Sequence, residues 1–206
     1  MIVIGLTGPS GSGKSTVSAL FSARGIPVID ADAVYRELLI PPSDCLDELV
    51  RVFGNEILCP NGTLNRRALG KLVFSDREAL ARLNTVAHRH IMAEIRRRIA
   101  AFRESGARAV LLDAPQLFEA DAARDCDAVV SVLADEATRL SRIMRRDGIT
   151  ERDARLRMNV QYSDAFFRER SDYVLENNGD TTALVSAVDT ILRELKIAPL
   201  SSENQK

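Results

Sequence analysis

Gly8-Pro9-Ser10-Gly11-Ser12-Gly13-Lys14-Ser15 is a complete G-x-x-x-x-G-K-[ST] stretch. The apolar run Ile2-Val3-Ile4-Gly5-Leu6 precedes it, and residues 15–23 follow it with helical spacing. Strand, glycine-rich turn and helix form the context in which this motif wraps a phosphate. Successive backbone N–H groups point at the anionic oxygens, and the helix adds the positive end of its dipole. Lys14 is expected to reach the β- and γ-phosphates of a nucleotide, and the Ser15 hydroxyl to hold Mg²⁺. The only lysines are Lys14, Lys71, Lys196 and Lys206, against a Lys+Arg total of 28. A chain that otherwise uses Arg for positive charge places a compact ammonium where the motif needs one.

Working outward, apolar runs alternate with helical patterns, the signature of a parallel sheet built from β-α units. Strands are expected at 2–6, 28–30, 109–112, 128–132 and 173–175. Helices are expected at 15–23, closed by Gly25, and at 182–195 near the C-terminus. The tail 201–206 is polar and reads as frayed. The stretch between the second and third strands is too long for a simple crossover. It carries helical segments at 45–53, 67–74 and 77–103, the last with Ile91, Ile95, Ile99 and Phe102 at helical spacing. An Arg-rich insertion covers 139–167. The whole reads as one domain, with a core at 1–31, 107–138 and 168–200, a helical substrate-binding insertion at 32–106 and a lid at 139–167.

The 206 residues carry a net charge of −1 and are 46% hydrophobic, an ordinary globular composition. Neither a nucleic-acid nor a membrane partner is expected, and no apolar stretch approaches transmembrane length. The N-terminal residues show no basic signal region. Cys45, Cys59 and Cys126 are scattered, so they read as free thiols in a reducing cytosol. Oligomeric state is open between a monomer and a weak homo-oligomer.

Three constellations supply chemistry around the loop. Asp113 closes an apolar strand, where a carboxylate beside the loop orients Mg²⁺; its competing role is a strand-end turn. Asp30 and Asp32 close the second strand, also at the ligand end of an α/β sheet. Either can cap the next helix, expected at 33–39, and Asp32 is favoured as the base that takes a hydroxyl proton. Arg139, Arg142 and Arg146 share one helical face by i, i+3, i+7 spacing. They read as a lid that neutralises phosphate charge, against a solvated face paired with Asp135 and Glu136. His88 and His90 are two apart, which does not place them on one helical face. Arg96-Arg97-Arg98 reads as a solvated face.

With these residues in view, the chain resembles the dephospho-CoA kinase family of P-loop kinases. The stretches that carry the resemblance are residues 5–17, Val28-Ile29-Asp30-Ala31-Asp32, Leu64-Asn65-Arg66-Arg67-Ala68-Leu69-Gly70, Asp113-Ala114-Pro115-Gln116-Leu117-Phe118-Glu119 and Asn177-Asn178-Gly179. It implies an α/β fold: a parallel sheet of about five strands flanked by helices, with the helical insertion holding substrate. It implies transfer of the ATP γ-phosphoryl group to the 3′-hydroxyl of dephospho-CoA in the presence of Mg²⁺. The implied nucleotide contacts are Gly11, Ser12, Gly13, Lys14, Ser15, Thr16 and Asn177. Asp32, Lys14, Arg142 and Arg146 are the implied catalytic groups. Asp32, Arg66, His88 and Asp113 face substrate, and Ser15 and Asp113 hold the metal. The chain departs from the family's usual residues with Pro9, Ala87, Arg89, Gln116 and Arg139, the last standing for a common Gln. The alternative is a kinase for another small hydroxyl metabolite or nucleoside monophosphate. A GTP-dependent switch would need an N-K-x-D motif, and the sequence has none.

Overall fold

The computed structural model describes residues 1–74, 76–179 and 181–197. The tail expectation at 201–206 lies outside the described residues. The elements run β1 (Ile2–Thr7), α1 (Lys14–Ser22), β2 (Val28–Asp30), α2 (Ala31–Glu37), α3 (Asp44–Phe53), α4 (Arg66–Phe74), α5 (Arg77–Glu104), β3 (Ala109–Asp113), β4 (Ala128–Leu133), α6 (Glu136–Asp147), α7 (Glu151–Asn159), α8 (Asp164–Arg170), β5 (Tyr173–Glu176) and α9 (Thr181–Glu194). The chain divides into two compact units, Met1–Ile29 with Phe102–Lys206, and Asp30–Ala101.

The first unit is built on a five-stranded sheet in the order β2-β3-β1-β4-β5. β1 pairs in parallel with β3, Leu6 opposite Asp113, and with β4, Leu6 opposite Val130. β4 in turn pairs in parallel with β5. Every residue of β4 is buried, the continuous apolar run of a strand covered on both faces. Ile4, Leu6, Leu111, Val130, Val132 and Leu175 share a core with Val17 and Phe21 of α1 and with Leu184, Val188 and Ile191 of α9. Each such side chain stabilises the fold by about 1.5–3 kcal/mol. From β1 the chain passes through α1 to β2 on the β3 side, whereas from β3 it crosses to β4 on the other side of β1. The carboxyl end of β1 is therefore a topological switch point, where open α/β sheets bind ligands. Gly25, at φ +76°, closes the turn that follows α1: its N–H donates to Ser22 O, and the Ile26 N–H donates to Phe21 O.

The second unit packs its own core from Cys45, Leu49 and Phe53 of α3, Leu69 and Val73 of α4, and Ala79 and Val86 of α5. The helical spacing expected in α5 holds, with Ile95 and Ile99 buried and Ile91 and Phe102 half-buried. Ser43 starts α3 by accepting a hydrogen bond from the Leu46 N–H at 3.2 Å. One local expectation shifts. α2 begins at Ala31 rather than 33, because the Asp30 carboxylate accepts the Ala33 N–H at 2.9 Å. That cap satisfies an otherwise orphaned donor, so the strand stops at Asp30 and Asp32 already lies in the first helical turn.

All three cysteines are free thiols. Burial pushes the Cys45 thiol up to about 11 and the Cys126 thiol up to about 12. Because the thiolate is the reactive form, native protein at pH 7.5 is expected to alkylate at Cys59 well before Cys45 and Cys126. Peptide mapping after brief iodoacetamide exposure checks this, and equal labelling of all three contradicts it.

Candidate active site

The loop between β1 and α1 is shaped by left-handed glycines packed against other backbone. Gly11 has φ +80°, and a Cβ there would come within 2.6 Å of the Arg139 carbonyl oxygen. Gly13 has φ +93°, and its Cβ would fall 2.0 Å from Asn177 Nδ2. No L side chain fits either position: Gly13 is a fixed glycine of the motif, and Gly11 is a glycine this chain places at one of its variable positions. The Ser12 N–H closes a turn onto Pro9 O at 3.2 Å, and the Ser12 side chain is fully buried. Lys14 folds its ammonium back toward Gly8 O at 3.4 Å. Ser15 and Thr16 lie exposed in the first turn of α1.

The chain leaving β3 is tied to the start of this loop. The Ala114 N–H donates to Leu6 O at 3.0 Å, and the Thr7 hydroxyl donates to Pro115 O at 3.3 Å. These bonds bring the half-buried carboxylate of Asp113 beside the loop on the neighbouring strand. Ser15 and Asp113 are hard oxygen donors of the kind Mg²⁺ takes, and that ion draws most of its remaining ligands from phosphates and water. The two residues therefore fit the ion. Among the described residues no group of three or more His, Cys, Asp or Glu could hold a metal.

The arginine face of α6 points at the loop, where Arg139 and Arg142 donate to its backbone carbonyls. Arg142 Nη1 donates to Gly11 O and to Ser12 O, each at 3.2 Å. Asn177 Nδ2 donates to Ser12 O at 2.7 Å, and Arg142 Nη2 donates to Asn177 Oδ1 at 3.4 Å. Asn177 is only 4% exposed, so its amide serves the loop from beneath. Its own N–H donates to Leu133 O, while Asn178 Oδ1 accepts the Asp135 N–H. The Asn177-Asn178-Gly179 turn is thus stitched to the end of β4. Arg146 extends to Ser10 Oγ at 3.4 Å and is otherwise engaged by Asp147, whose carboxyl it holds below the usual range.

Arg139 is turned inward and not into solvent. It is 7% exposed and donates from Nε to Ser10 O at 3.1 Å. Burial lowers its pKa, opposed by Asp164 and Glu136. The pairing of this face with Asp135 and Glu136 that a solvated helix would show is replaced by an ion pair of Glu136 with Arg155 of α7, at 2.6 Å. α6 also begins at Glu136, ahead of the expected lid boundary at 139, because β4 ends at Leu133. Gln161 and Asp164, which contact Arg139, belong to no motif, and nothing in the sequence singles them out.

Asp32, Arg66 and His88 lie in the second unit. Asp32 is exposed in the first turn of α2. Arg66 opens α4, where Asn65 caps the helix by accepting the Ala68 N–H at 3.0 Å. A turn delivers that cap: Leu58 bridges Leu64, and the Asn65 N–H donates to Ile57 O at 2.7 Å. The Leu64–Gly70 stretch is therefore a helix start that presents Arg66 in the first turn. The Tyr35 hydroxyl, raised by burial and by Cys45, feels the opposing charge of Arg66. His88 is half-buried on α5, whereas His90 Nε2 lies 2.8 Å from Glu48 and Arg89 pairs with the same carboxylate. These pairs hold the Glu48 carboxyl below its ordinary range, His90 contributing most.

The family model for dephospho-CoA kinase matches residues 2–183. A dephospho-CoA kinase of Syntrophotalea carbinolica is 45% identical over 179 residues, covering 87% of this chain and 85% of that protein. A crystal structure from Thermus thermophilus superposes with a TM-score of 0.80 at 34% identity, covering 94% of this chain and 97% of the other. The dephospho-CoA kinase of Campylobacter jejuni shares the fold, with a TM-score of 0.70 at 22% identity and coverage of 94% and 96%.

Gly13→Ala places a methyl group against the Asn177 amide in a backbone conformation that alanine resists. It is expected to weaken ATP binding by at least about 100-fold, the scale of roughly 3 kcal/mol of strain. Calorimetric titration with ATP checks it, and an unchanged dissociation constant contradicts this account of the loop.

Proposed function

The chain belongs to the dephospho-CoA kinase family, and on that premise we propose that it transfers the γ-phosphoryl group of ATP to the ribose 3′-hydroxyl of dephospho-CoA. The products are coenzyme A and ADP. The observation that carries this reading is the single match over residues 2–183, which spans the phosphate loop, the Asp30–Asp32 turn and the Arg66 segment together.

In the reaction, the acceptor 3′-oxygen forms a bond to the γ-phosphorus while the bridging β–γ oxygen leaves with ADP. Asp32 takes the hydroxyl proton, as an exposed carboxylate with room for a substrate can. The N–H groups of the loop receive the β- and γ-phosphates, and Lys14 exchanges the Gly8 carbonyl for phosphate oxygen. The buried Ser12 hydroxyl has no hydrogen-bond partner among the described residues, a polar group that a bound anion can satisfy. Ser15 and Asp113 are the residues that would hold Mg²⁺, which when bound offsets charge on the transferring phosphate. Arg142 and Arg146, already at the loop, add positive charge as negative charge moves to the leaving oxygen. Arg66 and His88 contact the acceptor, a role supported by the family segment that contains Arg66. The catalytic work requires neither a membrane nor nucleic acid, and three free thiols suit a reducing cytosol. No helix among the described residues is long and apolar enough to cross a membrane.

ADP release in the presence of ATP and Mg²⁺ is expected to rise strongly with dephospho-CoA and little with adenosine, AMP or shikimate. A coupled assay over that panel decides, and no stimulation by dephospho-CoA refutes the proposal. Asp32→Asn removes only the proton acceptor, so kcat is expected to fall by about 10²–10⁴-fold with ATP affinity retained. Near-parental turnover would sink the assignment of the base.

A further inference from the structure

We infer that Arg139 and Gln161 are positioning residues that hold the phosphate loop in its nucleotide-accepting form by gripping both backbone polar groups of Ser10. The inference rests on the reading that this loop binds ATP. The Ser10 N–H donates to Gln161 Oε1 at 3.0 Å, and Ser10 O accepts from Arg139 Nε at 3.1 Å. Arg139 Nη2 donates to the same Gln161 oxygen at 3.3 Å, which closes a three-membered ring of contacts. Arg139 Nη1 reaches Asp164 Oδ1 at 3.4 Å and anchors the ring to the start of α8. A guanidinium this buried is costly unless its donors are taken; here all three nitrogens are.

The consequence lies in the peptide plane. The Ser10 carbonyl and the Gly11 N–H belong to one planar trans peptide, so they point in opposite directions. Fixing Ser10 O toward Arg139 therefore fixes the direction of the Gly11 N–H, the first amide of the stretch that receives phosphate. Ser10 itself precedes that stretch, so its own N–H is available for Gln161 without depriving the nucleotide. Gln161 lies between α7 and α8, so the ring also links those helices to the loop.

The test reads ATP binding by calorimetry with Mg²⁺ and no acceptor, so it does not depend on whether dephospho-CoA is the substrate. Gln161 is exposed and its replacement leaves no cavity. Gln161→Ala is expected to raise the ATP dissociation constant about 3- to 10-fold, the scale of one neutral hydrogen bond. Arg139→Ala is expected to raise it about 10- to 100-fold, with kcat at saturating ATP within about threefold of the parent. Because both residues act through Ser10, the double variant is expected to lose little more than Arg139→Ala alone. Unchanged or tighter ATP binding by Gln161→Ala, or losses that multiply in the double variant, would overturn the inference. So would a lowered unfolding midpoint with ATP affinity intact, the mark of a purely structural role. If Arg139→Ala does not fold, Gln161→Ala decides alone.

Discussion

Each carbonyl of a planar peptide is locked opposite the next residue's N–H, and the phosphate loop depends on that coupling. An anion needs N–H groups converging on one point, yet the loop has no regular secondary structure to aim them. Aim comes instead from the far side of each peptide. Arg139 holds Ser10 O, Arg142 holds Gly11 O, and Arg142 with Asn177 holds Ser12 O. The carbonyls are drawn outward by cationic or amide donors, which sets the direction of the Gly11 and Gly13 N–H groups, while the Ser12 N–H closes a turn onto Pro9 O. Charge-assisted donors make this anchoring stronger than neutral bonds would.

The sheet explains how three distant segments meet at one loop. β1 lies between β3 and β4, so its carboxyl end is bordered by the ends of both neighbours. From β3 come Asp113 and the Ala114–Leu6 bond; after β4 comes α6 with its arginines; after β5 comes the Asn177 turn. Parallel strands place all these carboxyl ends at one edge, and α6 lies close enough that Gly11 meets the Arg139 backbone.

Much of this was legible along the chain. The apolar runs at β1, β3, β4 and β5 and the periodicity of α5 carry local information, so the elements fall within a residue or two of where the pattern puts them. The start of α2 was less legible. Asp30 both ends β2 and caps α2, and its 2.9 Å bond to Ala33 N starts the helix directly after the strand. The arginines of α6 were legible as a face, but the carbonyls of the loop that Arg139 and Arg142 meet were not. Helical spacing says which residues share a side, not what that side meets.

The sequence alone determined that a glycine-rich turn of the phosphate-loop type lies between β1 and α1, because residue types within eight positions dictate that turn: glycines, then a lysine and a hydroxyl, in fixed order. Only the tertiary structure decided what holds the turn in shape. Ser10 finds Arg139 at a separation of 129 residues and Gln161 at 151, and Ser12 finds Asn177 at 165. Contacts of that range depend on strand order and on how closely α6 lies against the loop, so no local pattern announces them.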